Sequence, residues 1–174
     1  IEKYHNTTIQ PKLYYDFSKN LKLVVSNRFY NQKIDNKAVI ETKQYQGNAT
    51  EKEWNSQIKL EHKWSSKFYS EYELYTTNYK NDAFLIDENS LPFEKSYYNQ
   101  WLFRPEVRTT FSIRDHKLTA GIGVNHETLD RTYFDSNVVF NSQYFFVQYD
   151  YNPTEKWNIL AGFRYDNHSE YASQ

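Results

Sequence analysis

The 174-residue sequence contains no cysteine, no methionine, only four glycines and four prolines, and no run of 18 apolar residues. Without cysteine there is no disulfide, no thiolate metal site and no cysteine nucleophile. The compartment stays open, because a protein of an oxidising space can do without cysteine. The missing apolar run excludes a transmembrane helix but not strands that cross a bilayer. Charge of one sign is lacking too. Lys and Arg number 21 against 22 Asp and Glu, which argues against a nucleic-acid protein and its basic excess. Leu (11) and Ala (6) are fewer than Tyr (17), unlike a soluble helical domain. A chain that opens at Ile1 and lacks methionine is expected to be processed or a segment of something longer.

What is abundant is aromatic: 17 Tyr, 12 Phe and 4 Trp in a chain whose mean hydropathy is −0.93. That many aromatics exclude disorder. The polar mean requires that the apolar residues be diluted nearly one for one.

The dilution is periodic. Trp54, Ser56, Ile58, Leu60, His62 and Trp64 alternate with Asn55, Gln57, Lys59, Glu61 and Lys63. Trp101, Phe103, Pro105, Val107, Thr109, Phe111 and Ile113 alternate with Leu102, Arg104, Glu106, Arg108, Thr110 and Ser112. The same period runs through Leu118 to Asn125 and Trp157 to Asp166. Period two means strands with one apolar and one polar face.

Turn signals divide the chain into about eight strands: 5–17, 21–32, 51–64, 68–80, 97–113, 117–130, 138–152 and 157–169. Short connections (18–20, 65–67, 114–116, 152–156) take turns with long polar ones at 32–50, 80–96 and 131–137. An all-β antiparallel up-and-down meander with this loop asymmetry predicts part of a transmembrane β-barrel, apolar outside and polar inside. The whole of 1–174 is expected to be one segment of one barrel domain. Tyr15, Phe17, Trp64, Phe68, Phe111, Tyr149, Tyr151 and Trp157 lie near the short turns. Tyr4, Phe29, Tyr30, Trp54, Tyr75, Tyr79, Tyr97, Tyr98, Trp101, Tyr133, Phe134, Tyr165 and Tyr171 lie toward the long connections. These predict two interfacial belts.

Rival architectures fit less well. A propeller blade needs four short strands, and each repeat here holds two long ones. A soluble ligand-binding barrel would have an apolar interior, whereas the face carrying Lys59, Glu61, Arg104, Glu106 and Arg108 is charged. A complete eight-stranded membrane barrel with a structural or adhesive role is the remaining membrane alternative.

For catalysis little is offered. The five histidines are scattered, none at metal-ligand spacing, and neither enzyme activity nor a cofactor or metal is expected. Gly121-Ile122-Gly123 lacks the third glycine and the helix of a dinucleotide loop; close strand approach or barrel curvature explains it better. Asp82, Asp87 and Glu88, or Asp130 and Asp135, could bind calcium through oxygen, and solvated loop charge is the preferred reading. Arg28, Arg104, Glu106, Arg108 and Arg164 form the lumen-facing candidates. Paired charges docking a plug are preferred for them over contact with an anionic ligand.

Trp157-Asn-Ile-Leu-Ala-Gly-Phe-Arg-Tyr-Asp-Asn-His-Ser-Glu170 resembles a strand of TonB-dependent outer-membrane receptors, with its L-x-A-G-hydrophobic-R-Y-D pattern. Tyr144 to Thr154 is similar to the strand and turn before it, and Leu118 to Val124 with Glu127-Thr128-Leu129 to an earlier hairpin arm. The motifs cover roughly the last 75 residues. The resemblance implies a 22-stranded barrel of which these strands are a piece of wall. The family's TonB box, N-terminal plug and C-terminal strand ending in an aromatic are not in this sequence. It also implies a bacterial outer-membrane location, with lipid, the plug and the TonB complex as partners. Extracellular loops would capture an iron–siderophore, haem, cobalamin or glycan. Tyr79, Asp82, Phe84, Tyr97, Arg131 and Tyr133 are the loop candidates for that capture, because aromatic and charged loop tips suit exposed binding sites.

Overall fold

A computed structural model describes residues 3–170. The described chain is strand throughout, joined by turns. In order these are β1 (Tyr4–Ile9), β2 (Lys12–Ser18), β3 (Leu21–Ile40), β4 (Lys43–Lys63), β5 (Phe68–Ile86), β6 (Pro92–Ile113), β7 (His116–Arg131), β8 (Val138–Thr154) and β9 (Trp157–His168). All pairing is antiparallel between sequence neighbours, except that β1 and β2 lie end to end along β3. The expected meander is therefore observed. Among the described residues no pairing joins the β1/β2 edge to β9, so the sheet is open.

Three expectations are corrected. The first strand, expected over 5–17, is split at Gln10-Pro11, because Pro11 has no N–H to donate. Its carbonyl still accepts from Asn27 N at 3.0 Å, keeping both pieces on β3. The stretch 32–50 is no long loop: β3 and β4 pair without interruption from Leu21↔His62 to Ile40↔Lys43. Glu41 (φ 48°) and Thr42 (φ 80°) close the hairpin, the two left-handed positions of a tight primed turn. Likewise 80–96 is mostly ladder, leaving 87–91 as the turn. There the Asp87 carboxylate accepts from Asn89 N (2.9 Å) and Leu91 N (2.8 Å). Of the long connections only 132–137 remains irregular.

Register sorts every side chain to a face. Phe29, Trp54, Asn78, Trp101 and Thr128 share one row, and Phe68, Phe111, Leu118 and Tyr149 another on the same face. Between them stand Ile58, Leu60, Tyr72, Leu74, Phe103, Val107, Ile122 and Val124. Solvent exposure runs the wrong way for a soluble protein: Ile122 is 61% and Phe163 61% exposed. A single sheet has no second layer to cover this face. Covering such a half-exposed side chain with lipid would be worth about 1 kcal/mol, roughly half the full transfer value, so a bilayer would supply what a core does.

Trp54 and Trp64, Trp101 and Phe111, and Phe68 and Asn78 are each ten residues apart. Ten residues at about 3.3 Å, tilted roughly 40°, rise about 25 Å, the height of a barrel's apolar band. The belt nearer the short turns lies on this face as expected. The other belt is corrected. Phe29, Trp54, Tyr97, Trp101 and Tyr165 share the apolar face, but Tyr4, Tyr30, Tyr75, Tyr79 and Tyr98 point to the polar one. Height alone does not decide a face; parity along the strand does. Tyr133 and Phe134 sit in the 132–137 connection, and Tyr171 lies outside the described residues.

Candidate functional site

The opposite face is polar, and its charges are coupled across strands. Arg28 Nη1 donates to Glu53 Oε1 at 2.9 Å. Lys59 lies between Glu61 (2.6 Å) and Glu71 (3.3 Å), and Glu71 also receives Arg108 through Nη2 (2.7 Å) and Nε (2.8 Å). Arg104 Nη2 donates to Glu73 Oε1 at 3.2 Å with its guanidinium 4.9 Å above the Tyr75 ring, while its buried Nε has no hydrogen-bond partner among the described residues. Tyr75 Oη in turn donates to Asn55 Oδ1 at 2.8 Å.

Two glycines carry this network over β7. Gly121 and Gly123 face the polar side, opposite Phe146 and Tyr144 of β8. A Cβ at Gly123 would stand 2.4 Å from Tyr144 Oη, and one at Gly121 would stand 2.4 Å from Phe146 Cζ. The missing side chains let both rings lie across the β7 backbone. Tyr144 Oη thereby donates to Glu106 on β6, two strands away, and Arg164 of β9 stacks 4.2 Å over the same ring while pairing with Asp166 at 2.8 Å. A continuous line runs from Glu61 through Lys59, Glu71, Arg108, Glu106 and Tyr144 to Arg164, spanning β4 to β9.

All five residues expected on the lumen side thus share one face. Reading the sequence missed Glu53, Glu71, Glu73 and Tyr144 as their partners. Glu71-Tyr72-Glu73 carried the signal: two acids on one face opposite Arg108 and Glu106 in the next strand.

Above the Trp54–Trp101 row, β3–β4 and β5–β6 continue as hairpins in which Lys33, Lys52, Lys80 and Asp82 stand on the face that is apolar below, and Ile34, Tyr45, Ala49 and Leu85 on the other. The six loop candidates lie at this level, on β5, β6, the end of β7 and the 132–137 connection, and do not converge on one site. Tyr79 is on the polar face, its hydroxyl donating to Glu51 Oε1 at 3.2 Å. Asp82, Phe84 and Tyr97 are strand residues on the opposite face, not loop residues. Arg131 and Tyr133 do come together, on the polar face that Arg131 shares with Tyr98, whereas Tyr97 is tied to the same segment from the other face: its N donates to Thr132 Oγ1 (2.6 Å) and its hydroxyl to Asp130 Oδ1 (2.7 Å). Arg131 lies 5.6 Å over the Tyr133 ring and 5.2 Å over that of Phe134, and Tyr133 Oη donates to Glu94 Oε1 at 3.0 Å. Hydrogen bonding to Asp130 raises the Tyr97 phenol above its ordinary value, and hydrogen bonding to Glu94 raises Tyr133.

Solved structures share this architecture. The chain superposes over 94% of its length on the ferric citrate transporter FecA (TM-score 0.78, 8% identity, 27% of that chain). It has the fold of an outer-membrane β-barrel wall. The siderophore receptor PiuA from Acinetobacter baumannii matches over 99% (TM-score 0.73, 11% identity, 38% of that chain). The translocator domain of the autotransporter NalP from Neisseria meningitidis matches over 99% at a TM-score of 0.52, with 10% identity and 63% of that chain covered. The chain thus spans well under half the length of FecA and of PiuA. No family model and no curated protein sequence matches it.

Proposed function

We propose that this chain is wall from a TonB-dependent outer-membrane receptor that takes up a scarce solute: an iron–siderophore, haem, cobalamin or glycan. The observation that carries the reading is the pair of faces. One is apolar over a bilayer's height; the other is lined from β4 to β9 by hydrogen-bonded charges, a surface suited to a polar plug and a wet path. The resemblance of residues 157–170 to the receptor motif points the same way, as do structural neighbours that are TonB-dependent receptor barrels. Arg28, Arg104, Glu106, Arg108 and Arg164 serve the plug and the lumen. Arg131 and Tyr133 form the compact part of the capture surface; Tyr79 faces the lumen mouth, and Asp82, Phe84 and Tyr97 face outward. No bond is made or broken in this function.

Uptake of labelled solutes by cells with and without the full-length gene tests it. The expected result is uptake of one solute class that requires the gene and stops when a protonophore collapses the proton gradient. Protonophore-insensitive uptake, or none for any of the four classes, would contradict it.

A further inference from the structure

We propose that the outer face just above the Trp54–Trp101 row holds an anionic, phosphate-bearing lipid headgroup, with Lys52 and Lys80 as the cationic pair. The register places these two lysines directly opposite each other on β4 and β5. Like charges so placed repel. Lys33 stands diagonal to Lys52 on β3. All three lysines are exposed, and none has an ion-pair partner among the described residues. Asp82, two residues beyond Lys80 on the same face, makes no ion pair either. The contrast is with the polar face, where Arg28, Lys59, Arg104, Arg108 and Arg164 each meet a carboxylate.

Lys52 and Lys80 also border a groove of about 410 Å³ with Phe29 and Trp54 at its apolar end and Asn31 beside the lysines at its polar end. The Asn78 amide in its floor is already spent on Asn99 Oδ1 (2.8 Å) and Gln100 O (3.0 Å). An apolar slot continuous with the lipid-facing band and capped by unpaired ammonium groups matches a lipid with an acyl chain below and a phosphate above. Two residues beyond an aromatic row lie about 5 Å higher along a tilted strand, which is headgroup depth. Basic residues there attract anionic lipid.

The inference rests on the apolar face meeting a bilayer. Its test uses the full-length protein in nanodiscs of equal phosphatidylglycerol and phosphatidylcholine with identical acyl chains. Native mass spectrometry reads the lipids retained. Phosphatidylglycerol is expected to be retained about tenfold over phosphatidylcholine. That preference should vanish in Lys52→Gln/Lys80→Gln and persist in Lys37→Gln/Lys95→Gln, which removes equal charge further along the same hairpins. Heat-modifiable migration confirms that each variant is folded. Equal retention of both lipids, equal loss in both double variants, or displacement by inorganic phosphate at matching concentration would overturn the site. Failure to insert into nanodiscs would overturn the membrane reading itself.

Discussion

Below the Trp54–Trp101 row and above it, one sheet obeys different rules. Below, parity dominates: Ile58, Leu74, Val107 and Ile122 on one face, Lys59, Glu73, Glu106 and Gly123 on the other. Above, the same ladders continue, yet the formerly apolar face carries Lys33, Lys52, Lys80, Asp82 and Lys95. Backbone pairing is indifferent to the boundary; side-chain chemistry changes at it. Strand geometry is thus set by the ladder and by turn residues such as Glu41-Thr42, while the solvent on each side selects the side chains.

The sharpest way to break this comparison is to place a charge on each side of the boundary. Ile122→Lys, mid-band on the apolar face, is expected to cost about 2–4 kcal/mol. Thr50→Lys, on the same face above the row, should stay within about 0.5 kcal/mol. Urea unfolding of the full-length protein in lipid vesicles measures both, and equal costs would erase the boundary.

Next in size is the glycine crossing of β7. Gly123→Ala puts a methyl group where Tyr144 lies and should cost about 1–3 kcal/mol by overpacking. Combining it with Tyr144→Ala is expected to fall short of additivity, since both act on one contact. Additive costs would show that the ring and the glycine are independent.

A smaller effect is expected at Glu71, which is half-buried and serves Lys59 and Arg108 together. Glu71→Gln should cost about 1 kcal/mol after allowance for solvent screening. Asp82→Asn, in the projecting hairpin and without an ion pair, should leave unfolding unchanged.

Smallest is a titration in the projecting part. Tyr97 and Tyr133 keep their protons above the ordinary phenol range because Asp130 and Glu94 accept from them. The sign follows: their contribution holds the 132–137 connection at neutral pH and is lost as pH rises through the raised value. Ultraviolet titration of the wild type minus Tyr133→Phe should show a phenol ionising later than free tyrosine. A difference curve centred at the ordinary value would remove this anchor.

Much of the lower region was legible from sequence because one wet and one apolar side imprint period two. The alternation from Trp101 to Ile113 and from Leu118 to Asn125 sorted the faces correctly, and the five charged lumen candidates share one side. The upper hairpins were not legible. There the apolar residues are sparse and stand on the other parity (Ile34, Tyr45, Ala49, Leu85), so Lys33 to Asn48 and Asn81 to Lys95 read as polar loops although they are paired strand. Partners such as Tyr144 and Glu106 were also hidden. Their contact needs two glycines on an intervening strand, a relation among three strands that no local pattern encodes.

The boundary can be mapped directly because these strands are free of cysteine, with any cysteine elsewhere in the full-length protein replaced by serine. Single cysteines placed along β4 and β6 of the full-length protein in intact outer membranes would be labelled with a water-soluble maleimide. From Trp54 to His62 and from Trp101 to Thr109, substitution on the apolar face should remain unlabelled. Above the row, at Lys52, Thr50, Tyr97 and Lys95, cysteines on that same face should label readily. Labelling at Ile58 and Val107 as fast as at Thr50 and Lys95 would mean that water covers the apolar face, contradicting a wall in a bilayer.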